Sequence, residues 1–480
     1  MKQLIYICGA VGLLLSASCK KSFLELDPKQ QQDANMVIKD LPGARAAITG
    51  AYNLMQPVAY YGRHAIIVPD LMSDNIFISS VNQKRYLPLD QYITITTDGT
   101  SSDMWRQMYK VIVNANLLIE KASANEYPDA DKAEAQFIIG EAYALRALAY
   151  FDLMRFFALP YNATADGSHL GVPLVIKSGT DNTNIISPKR NTAKEVYTQI
   201  VADFNTAINT MPTSPVGFKS SLRGRISHYA AKALLARVQL YRGDWAAADS
   251  LATSVISKGG FTLLPRASLI EESRKQNSTE AIFEIQYNIL DNLGSDALVN
   301  FLWQSGSYGD GLATEDLYNA YASTDVRRGF VTKGVRKNGE NPAYLITKYT
   351  NTTSYEEPSR VIRLAEMYLI RAEARAHEGL DGLAAADVNT VAGRADATWV
   401  PVTATGDALQ AIILNENRKE FAFEGHRLFD LTRNKLGFTK YLTNKTITID
   451  KTDKRTILPI PQSEMNANVN MEQNEAYKAR

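Results

Sequence analysis

Apolar residues recur every three or four positions over long stretches of this 480-residue chain. That spacing places side chains on one face of an α-helix. One such repeat, which includes Phe137 and Phe151, predicts a helix over residues 131–158. Another predicts a helix from Val361 to a stop at Gly379, since glycine readily takes the left-handed conformation that ends helices. The pattern therefore predicts a chain rich in long amphipathic helices.

One segment predicts a complete pair of helices with a tight turn between them. Ser227 has the side-chain oxygen of an N-cap, Gly243 can end the first helix, and Asp244 can cap the second. The unit is about 32 residues long, close to the tetratricopeptide period of about 34. Residues 102–158 and 360–393 offer two more candidate pairs. Because about three such pairs must stack to bury their apolar faces, we expect a mostly α fold with a tetratricopeptide-like helical-repeat scaffold.

Two segments break the helical pattern. Residues 91–97, QYITITT, alternate along the chain and are rich in β-branched side chains, so they predict a short strand. Residues 286–358 are rich in Gly, Asn, Tyr and Ser, and they are too long for a simple linker. We expect this second segment to form loops and short strands that pack on the helical scaffold and carry the ligand-binding region.

The start of the chain has the composition of an export signal. Lys2 precedes an apolar stretch over residues 4–15, which is too short to span a bilayer as a helix. Small residues follow, and Cys19 comes directly after them. This order resembles a bacterial lipobox, although Ser16 stands where leucine is usual. We expect a signal peptide over residues 1–18 and a lipidated Cys19; a plain signal peptide with an incidental cysteine is the alternative.

The mature chain is expected to divide into a polar tether over residues 19–40 and a single domain over residues 41–480. Both cysteines of the sequence, Cys8 and Cys19, precede that domain. An intramolecular disulfide and a thiolate zinc site are therefore excluded from the domain. The formal net charge of +1 provides no field that would attract nucleic acid, so we expect no nucleic-acid partner.

Motifs of common enzyme classes are missing from the sequence. It contains no Walker loop, no His-Glu-x-x-His and no Gly-x-Ser-x-Gly, and its five histidines are scattered without metal-ligand spacing. We therefore predict no catalytic residue, no metal site and no cofactor. A glycosidase pair of carboxylates need not form a motif, but nothing in the pattern supports one. Binding without turnover is the favoured interpretation.

Four segments resemble a known family: RLAEMYLIRAEARA (363–376), NENRKEFAFEGHRLFDLTRNK (415–435), ILPIPQSEMNANVNMEQNEAY (457–477) and WRQMYKVIVNAN (105–116). Together they resemble the SusD/RagB family of nutrient-binding outer-membrane lipoproteins, over nearly the whole mature chain. The resemblance implies a SusD-like fold, a glycan ligand, and a lipid anchor that holds the protein on the outer membrane, facing the cell exterior. It also implies a partner, a SusC-like TonB-dependent outer-membrane transporter.

A row of glutamates lies in the second of these segments. Glu416, Glu420 and Glu424 stand four residues apart, so their carboxylates would repel one another on one helix face if they were unpaired. We predict a structural ion-pair network here in preference to a catalytic acid, and we expect Gly425 to end the helix. The expected partners are the nearby arginines Arg418, Arg427 and Arg433.

Aromatic composition suggests where a sugar would bind. Tyrosine outnumbers phenylalanine, 24 to 16, and a tyrosine suits a half-exposed binding surface because it combines an apolar ring with a polar end. The candidate ligand-binding residues, all in segments with loop composition, are Tyr60, Tyr61, Asn82, Tyr86, Trp303 and Tyr308. Ordinary packing is the alternative for each ring. By contrast, Trp105 and Trp245 lie within helical units and are expected to be core residues.

Two other functions remain open on the sequence. One is a peptide-binding, RagB-like uptake lipoprotein, whose groove would bond backbone groups in place of stacking on sugar rings. The other is a helical-repeat scaffold that only holds proteins together, whose concave face would be free of loops. The loop-rich residues 286–358 argue against this second function.

Overall fold

The computed structural model describes residues 38–178, 187–217, 219, 221–306 and 308–478. The predicted signal peptide and the predicted lipidation site Cys19 lie outside these residues. The first described helix begins at Leu41, which is the predicted start of the domain. Within the described ranges, no helix combines the length and the hydropathy needed to cross a membrane.

Helices form most of the described secondary structure. In chain order they are α1 (Leu41–Asn53), α2 (His64–Leu71), α3 (Leu87–Asp90), α4 (Gly99–Ala124), α5 (Asp129–Phe157), α6 (Ala193–Thr210), α7 (His228–Arg242), α8 (Trp245–Lys258), α9 (Leu269–Glu272), α10 (Leu298–Leu302), α11 (Glu315–Ala320), α12 (Leu364–His377), α13 (Asp381–Ala395), α14 (Gly406–Glu420), α15 (Arg427–Arg433) and α16 (Gln462–Ala467). A π-helix over Val58–Gly62 precedes α2.

The long helices pack in sequence as a stacked array. α4 packs on α5, α5 on α6, α6 on α7 and α7 on α8, and the row continues through α12 to α13 and α14. The turn between α7 and α8 forms as predicted. Ser227 accepts the N–H of Ala230, Gly243 has a φ of 75°, and Asp244 accepts the N–H of Ala247. The mostly α, tetratricopeptide-like scaffold is therefore confirmed.

The strands are short and antiparallel. They are β1 (Ile76–Ile78), β2 (Ala281–Ile285), β3 (Gly311–Ala313), β4 (Val331–Gly334), β5 (Ala343–Ile346), β6 (Ser359–Arg363), β7 (Phe438–Tyr441) and β8 (Thr446–Ile449). One sheet has the order β1-β3-β5-β4, and two further pairs join β2 to β6 and β7 to β8. Because β3, β4 and β5 lie within residues 286–358, the prediction of loops and short strands there is confirmed.

No strand forms over residues 91–97, so that prediction is wrong. The side chains do alternate, but in the opposite sense to an amphipathic strand. Ile93 and Ile95 are 57% and 50% exposed, while Thr94 and Thr96 are buried. The Thr96 carbonyl accepts the N–H of Gln462 at 2.9 Å, and within the described chain no strand pairs with this segment. Alternation alone makes an extended chain, whereas a strand also needs a partner for its backbone groups.

The glutamate row forms a buried ion-pair network, as predicted. Glu420 accepts hydrogen bonds from Nη1 of both Arg327 and Arg363 at 2.6 Å, and it also pairs with Arg394. These cations hold the pKa of Glu420 well below its ordinary value, although burial acts in the opposite direction. The third carboxylate, Glu424, pairs with Lys348 and Arg363. The network joins α14 to β6, α13 and the loop before β4.

The predicted partners of that network are wrong. Arg418 pairs instead with Asp316, Arg427 with Asp74, and Arg433 with Glu373 and Asp430. All three arginines turn away from the glutamate row because each meets a carboxylate of another element. Spacing along one helix shows that the glutamates need cations, but it does not show which part of the chain supplies them.

Gly425 does not end the helix, since α14 already ends at Glu420. It has a φ of 81°, and a Cβ at this position would lie 2.5 Å from the carbonyl oxygen of Ala65. Its N–H donates to Asp70 Oδ2 at 2.8 Å. Glycine is therefore needed here so that the segment after α14 can approach α2 closely.

Candidate functional site

The π-helix over Val58–Gly62 carries two of the predicted ligand-binding tyrosines, and it turns both inward. Tyr60 is 0% exposed and Tyr61 is 4% exposed. Both hydroxyls donate to Oδ2 of Asp152, at 2.6 and 2.8 Å. Burial raises the pKa of both hydroxyls well above the ordinary value. The prediction that Tyr60 and Tyr61 form part of a ligand surface is therefore wrong, because they are packed core residues.

Arg63, directly after the π-helix, connects several distant loops. It is buried, and its Nε donates to the hydroxyl of Tyr86 at 2.7 Å. Its Nη1 donates to the hydroxyl of Tyr308 at 2.8 Å and to the backbone carbonyl of Asp296 at 2.9 Å. One guanidinium thus holds two of the predicted site tyrosines at fixed positions.

Tyr86 ends the loop that follows β1, and its ring is buried beneath the site. Its φ of 56° lies in the left-handed region, which turns the chain into α3. The ring meets His64 at 5.4 Å and Phe301 at 5.0 Å between centroids, both edge to face. Burial raises the pKa of the Tyr86 hydroxyl to about 12. Because the ring is only 7% exposed, Tyr86 positions its neighbours and is not itself free to stack on a sugar.

Trp303 and Tyr308 lie on a tight loop after α10, and both side chains are half-buried. The backbone carbonyl of Asn300 accepts the N–H groups of Tyr308 and Gly309, at 3.3 and 2.7 Å. Gly309 has a φ of 51°, and a Cβ there would lie 2.6 Å from Gln304 Cα. These contacts fold the backbone at Tyr308 and Gly309 back onto the end of α10.

Arg85 covers one face of the Tyr308 ring. Its guanidinium carbon lies 3.9 Å from the ring centroid, which is a cation–π contact. The same guanidinium lies 3.7 Å from Asp310, and burial raises the pKa of that carboxyl. Asn82 fastens the same loop: its Nδ2 donates to the Ser79 carbonyl at 2.5 Å, and its Oδ1 accepts the N–H of Lys84 at 2.6 Å. Asn82 therefore shapes the loop that carries Arg85.

A third segment, between β4 and β5, completes the arrangement. Arg336 donates to the backbone carbonyls of Val81 and Tyr308, at 3.0 and 2.8 Å. Glu340 accepts the hydroxyl of Ser79 at 2.8 Å and the N–H of Ser80 at 2.6 Å. Sequence reasoning missed both residues. Their segment, KGVRKNGENP, carried only the signal of a polar turn, and nothing in it indicated the loop that it would meet.

We call the surface formed by these loops the aromatic loop site: Asn82, Arg85, Trp303 and Tyr308, with the buried side chains of Arg63 and Tyr86 beneath them. The structure thus brings together four of the six predicted ligand-binding residues. It presents partly exposed aromatic side chains beside guanidinium and amide groups. Among the described residues, no group of three or more His, Cys, Asp or Glu side chains could hold a metal ion. The arrangement is suited to hydrogen bonding and stacking.

Comparisons with known proteins identify the family. A family model described as "SusD family" matches residues 300–477, and a second, described as "Starch-binding associating with outer membrane", matches residues 22–240. The chain belongs to the SusD family. A SusD-like protein of Formosa agariphila is 26% identical to it over 97% of this chain and 97% of its own length. The starch-binding protein SusD of Bacteroides thetaiotaomicron is 38% identical over 127 residues, which are 25% of this chain and 21% of that protein.

Solved structures of the SusD superfamily share the fold. One from Bacteroides thetaiotaomicron has a TM-score of 0.81 and 28% identity, and the match covers 91% of this chain and 99% of that one. Another from Bacteroides vulgatus has a TM-score of 0.82 and 26% identity, with 92% and 99% covered. The SusD-like fold is therefore confirmed. Membership of this carbohydrate-binding family also confirms that the protein is not an enzyme.

Proposed function

We propose that this SusD-family protein is an outer-membrane lipoprotein that captures an oligosaccharide or polysaccharide nutrient and delivers it to a SusC-like TonB-dependent transporter. The aromatic loop site is the proposed place of capture. The observation that carries this assignment is the position of Tyr308 on a turn whose N–H groups donate to the Asn300 carbonyl, with Trp303 half-buried at the start of the same loop. A site held in place before the ligand arrives loses little conformational freedom on binding.

The chemistry of the site fits a sugar. Pyranose rings have apolar C–H faces, which pack on aromatic rings, and a rim of hydroxyls, which exchange hydrogen bonds with amides and charged groups. Trp303 provides an apolar surface that is not fully buried, and Gln83 and Lys84 are exposed on the loop that carries Arg85. Arg85, whose side chain is 34% exposed, adds a hydrogen-bond donor. No observation in the site favours the alternative of a peptide groove.

The loop assignment is tested by Trp303→Ala. Loss of a stacked aromatic should weaken binding by about 1–3 kcal/mol, or roughly tenfold to a hundredfold. The measurement is affinity electrophoresis in gels that contain starch, laminarin, xylan, pectin or alginate, followed by calorimetric titration with the polysaccharide that retards the protein most. Trp399→Ala is the matched control, because Trp399 is also half-buried and donates to Asn389 elsewhere on the scaffold. Equal affinities for the wild type and Trp303→Ala would exclude Trp303 from the site.

The lipid anchor is tested separately through Cys19. If Cys19 carries the lipid, Cys19→Ala should move the protein from the membrane fraction to the soluble fraction, because a chain without acyl groups has no membrane attachment. Mass spectrometry of the mature wild-type protein should show a modified Cys19 as the first residue. An intact leader in the mature protein, or an unchanged membrane fraction for the variant, would contradict the lipoprotein assignment.

The transporter partnership and the outward orientation have their own test. The protein should co-purify with a TonB-dependent barrel from detergent-solubilised outer membranes, and protease added to whole cells should degrade it. Protection from protease in intact cells would place it on the inner face of the outer membrane and contradict this part of the proposal.

A further inference from the structure

A second cleft lies along α4, apart from the aromatic loop site. It is bounded by α4, by the segment around Pro173 and Val175, by Pro188, and by the start of α16. Its volume is about 610 Å³, within the range of about 300–1,000 Å³ that is typical of small-molecule sites. None of the residues that line it belongs to the aromatic loop site.

Two aromatic side chains, one helical turn apart, line the cleft. The rings of Trp105 and Tyr109 have centroids 5.0 Å apart and are tilted by 49°. The Tyr109 hydroxyl donates to the Pro173 carbonyl at 2.8 Å, and Trp105 Nε1 donates to Glu464 Oε2 at 3.3 Å. Each polar end is thus bonded to a different wall. Trp105 is buried and supports the ring of Tyr109, which is the more exposed of the two.

Polar side chains of both signs line the opening. Arg106, Lys110 and Asn114 follow one another at four-residue spacing along the exposed face of α4. Lys110 forms no ion pair within the described ranges, so its ammonium group is available to a ligand. Glu464 stands on α16 and supplies carboxylate oxygens. The opening therefore offers both hydrogen-bond donors and acceptors around the half-buried ring of Tyr109.

We propose that this cleft is a second carbohydrate-binding site. The inference rests on the proposed function, since it assigns a further contact with the same polymeric ligand. The half-buried ring of Tyr109 and the exposed side chain of Val113 give the cleft an apolar wall. Such a wall with mixed donors and acceptors at its edge suits a sugar unit, whose C–H face packs on the ring while its hydroxyls reach the opening. Two sites on one molecule raise the avidity for a polysaccharide, because the second contact forms at high effective concentration.

The test uses the full-length mature protein and the same polysaccharide gels. The cleft variant is Lys110→Ala/Asn114→Ala, and both changes lie on an exposed helix face where alanine preserves the helix. The control is Lys258→Ala/Asn209→Ala, which alters the same residue types on exposed positions of α8 and α6. A combined variant adds Trp303→Ala. Melting temperatures of all variants verify that the fold is intact.

The cleft variant should bind the retarding polysaccharide about fivefold more weakly per lost hydrogen bond, whereas the control should match the wild type. The combined variant should show no retardation. If the cleft variant runs like the wild type in every gel while Trp303→Ala loses retardation, the second site is disproved and the proposed function stands. If none of the polysaccharides retards the wild type, both proposals fail.

Discussion

Arg63 donates a hydrogen bond from Nη1 to the hydroxyl of Tyr308 at 2.8 Å, across 245 residues of sequence. The same guanidinium holds the hydroxyl of Tyr86. Three parts of the chain that are far apart in sequence therefore share one buried cation. Arg63 therefore ties together the loops that form the aromatic loop site.

Arg63→Met should loosen the site and destabilise the fold. The change leaves the Tyr86 hydroxyl without its donor and removes one partner of Tyr308, and each unsatisfied buried group typically costs about 1–3 kcal/mol. Urea unfolding should show this loss, and polysaccharide binding should weaken as well. Lys132→Met is the control, since the side chains of Lys132 and its ion-pair partner Asp129 are 59% and 95% exposed, so this is a surface ion pair. Arg63→Met with wild-type stability and binding would contradict the role assigned to Arg63.

Glu420→Gln should be strongly destabilising. Glu420 is buried and pairs with Arg327, Arg363 and Arg394, so loss of its charge leaves three buried guanidinium groups short of a partner. Breaking a buried pair in this way costs about 3–5 kcal/mol. The measurement is the free energy of unfolding in guanidinium chloride. The matched control is Glu271→Gln, at an exposed pair with Lys275, which should change stability far less; similar losses in both variants would disprove the structural importance of the network.

Trp105→Ala should destabilise the protein much more than Trp245→Ala. Trp105 is 5% exposed and packs on Phe157 at 5.0 Å between centroids, as expected for a core residue. Truncation of such a residue costs about 3–5 kcal/mol. Trp245, also predicted as core, is only half-buried and stacks on the exposed His377 at 3.9 Å. Thermal melts should rank the two variants in this order, and the reverse order would contradict the assigned burial.

Acidification should destabilise the fold in part through His64. Burial, with a contribution from Arg63, lowers the pKa of His64 to about 3. Between about pH 6.5 and 3 the unfolded chain therefore binds a proton that the folded chain does not, so the free energy of unfolding falls as the pH falls. At pH 4.5 this amounts to roughly 2–3 kcal/mol.

The matching measurement is the pH dependence of the unfolding free energy for His64→Gln. Its slope between pH 6.5 and 4.5 should be shallower than that of the wild type. His377→Gln, at an exposed position, should keep most of the wild-type slope. Identical slopes for the wild type and His64→Gln would show that His64 is protonated in the folded protein.

The sequence by itself determined the helical scaffold. Apolar spacing predicted α5, which is observed over Asp129–Phe157, and cap residues located the turn at Gly243. Such features depend on contacts within three or four residues, so they can be read locally. The bounds of a helix were predicted less accurately where contacts with distant residues intervene. A helix was predicted from Val361, but Val361 lies in β6 and α12 begins only at Leu364.

The tertiary structure decided which polar groups meet and which rings remain accessible. The glutamate row clearly required cations, yet Arg327 and Lys348 come from the loop-rich region and not from the neighbouring helix. Tyr60 and Tyr308 have similar sequence surroundings, but Tyr60 is buried on Asp152 while Tyr308 remains half-exposed on its turn. Burial and charge pairing are sums over neighbours far apart along the chain, and no local pattern records those neighbours.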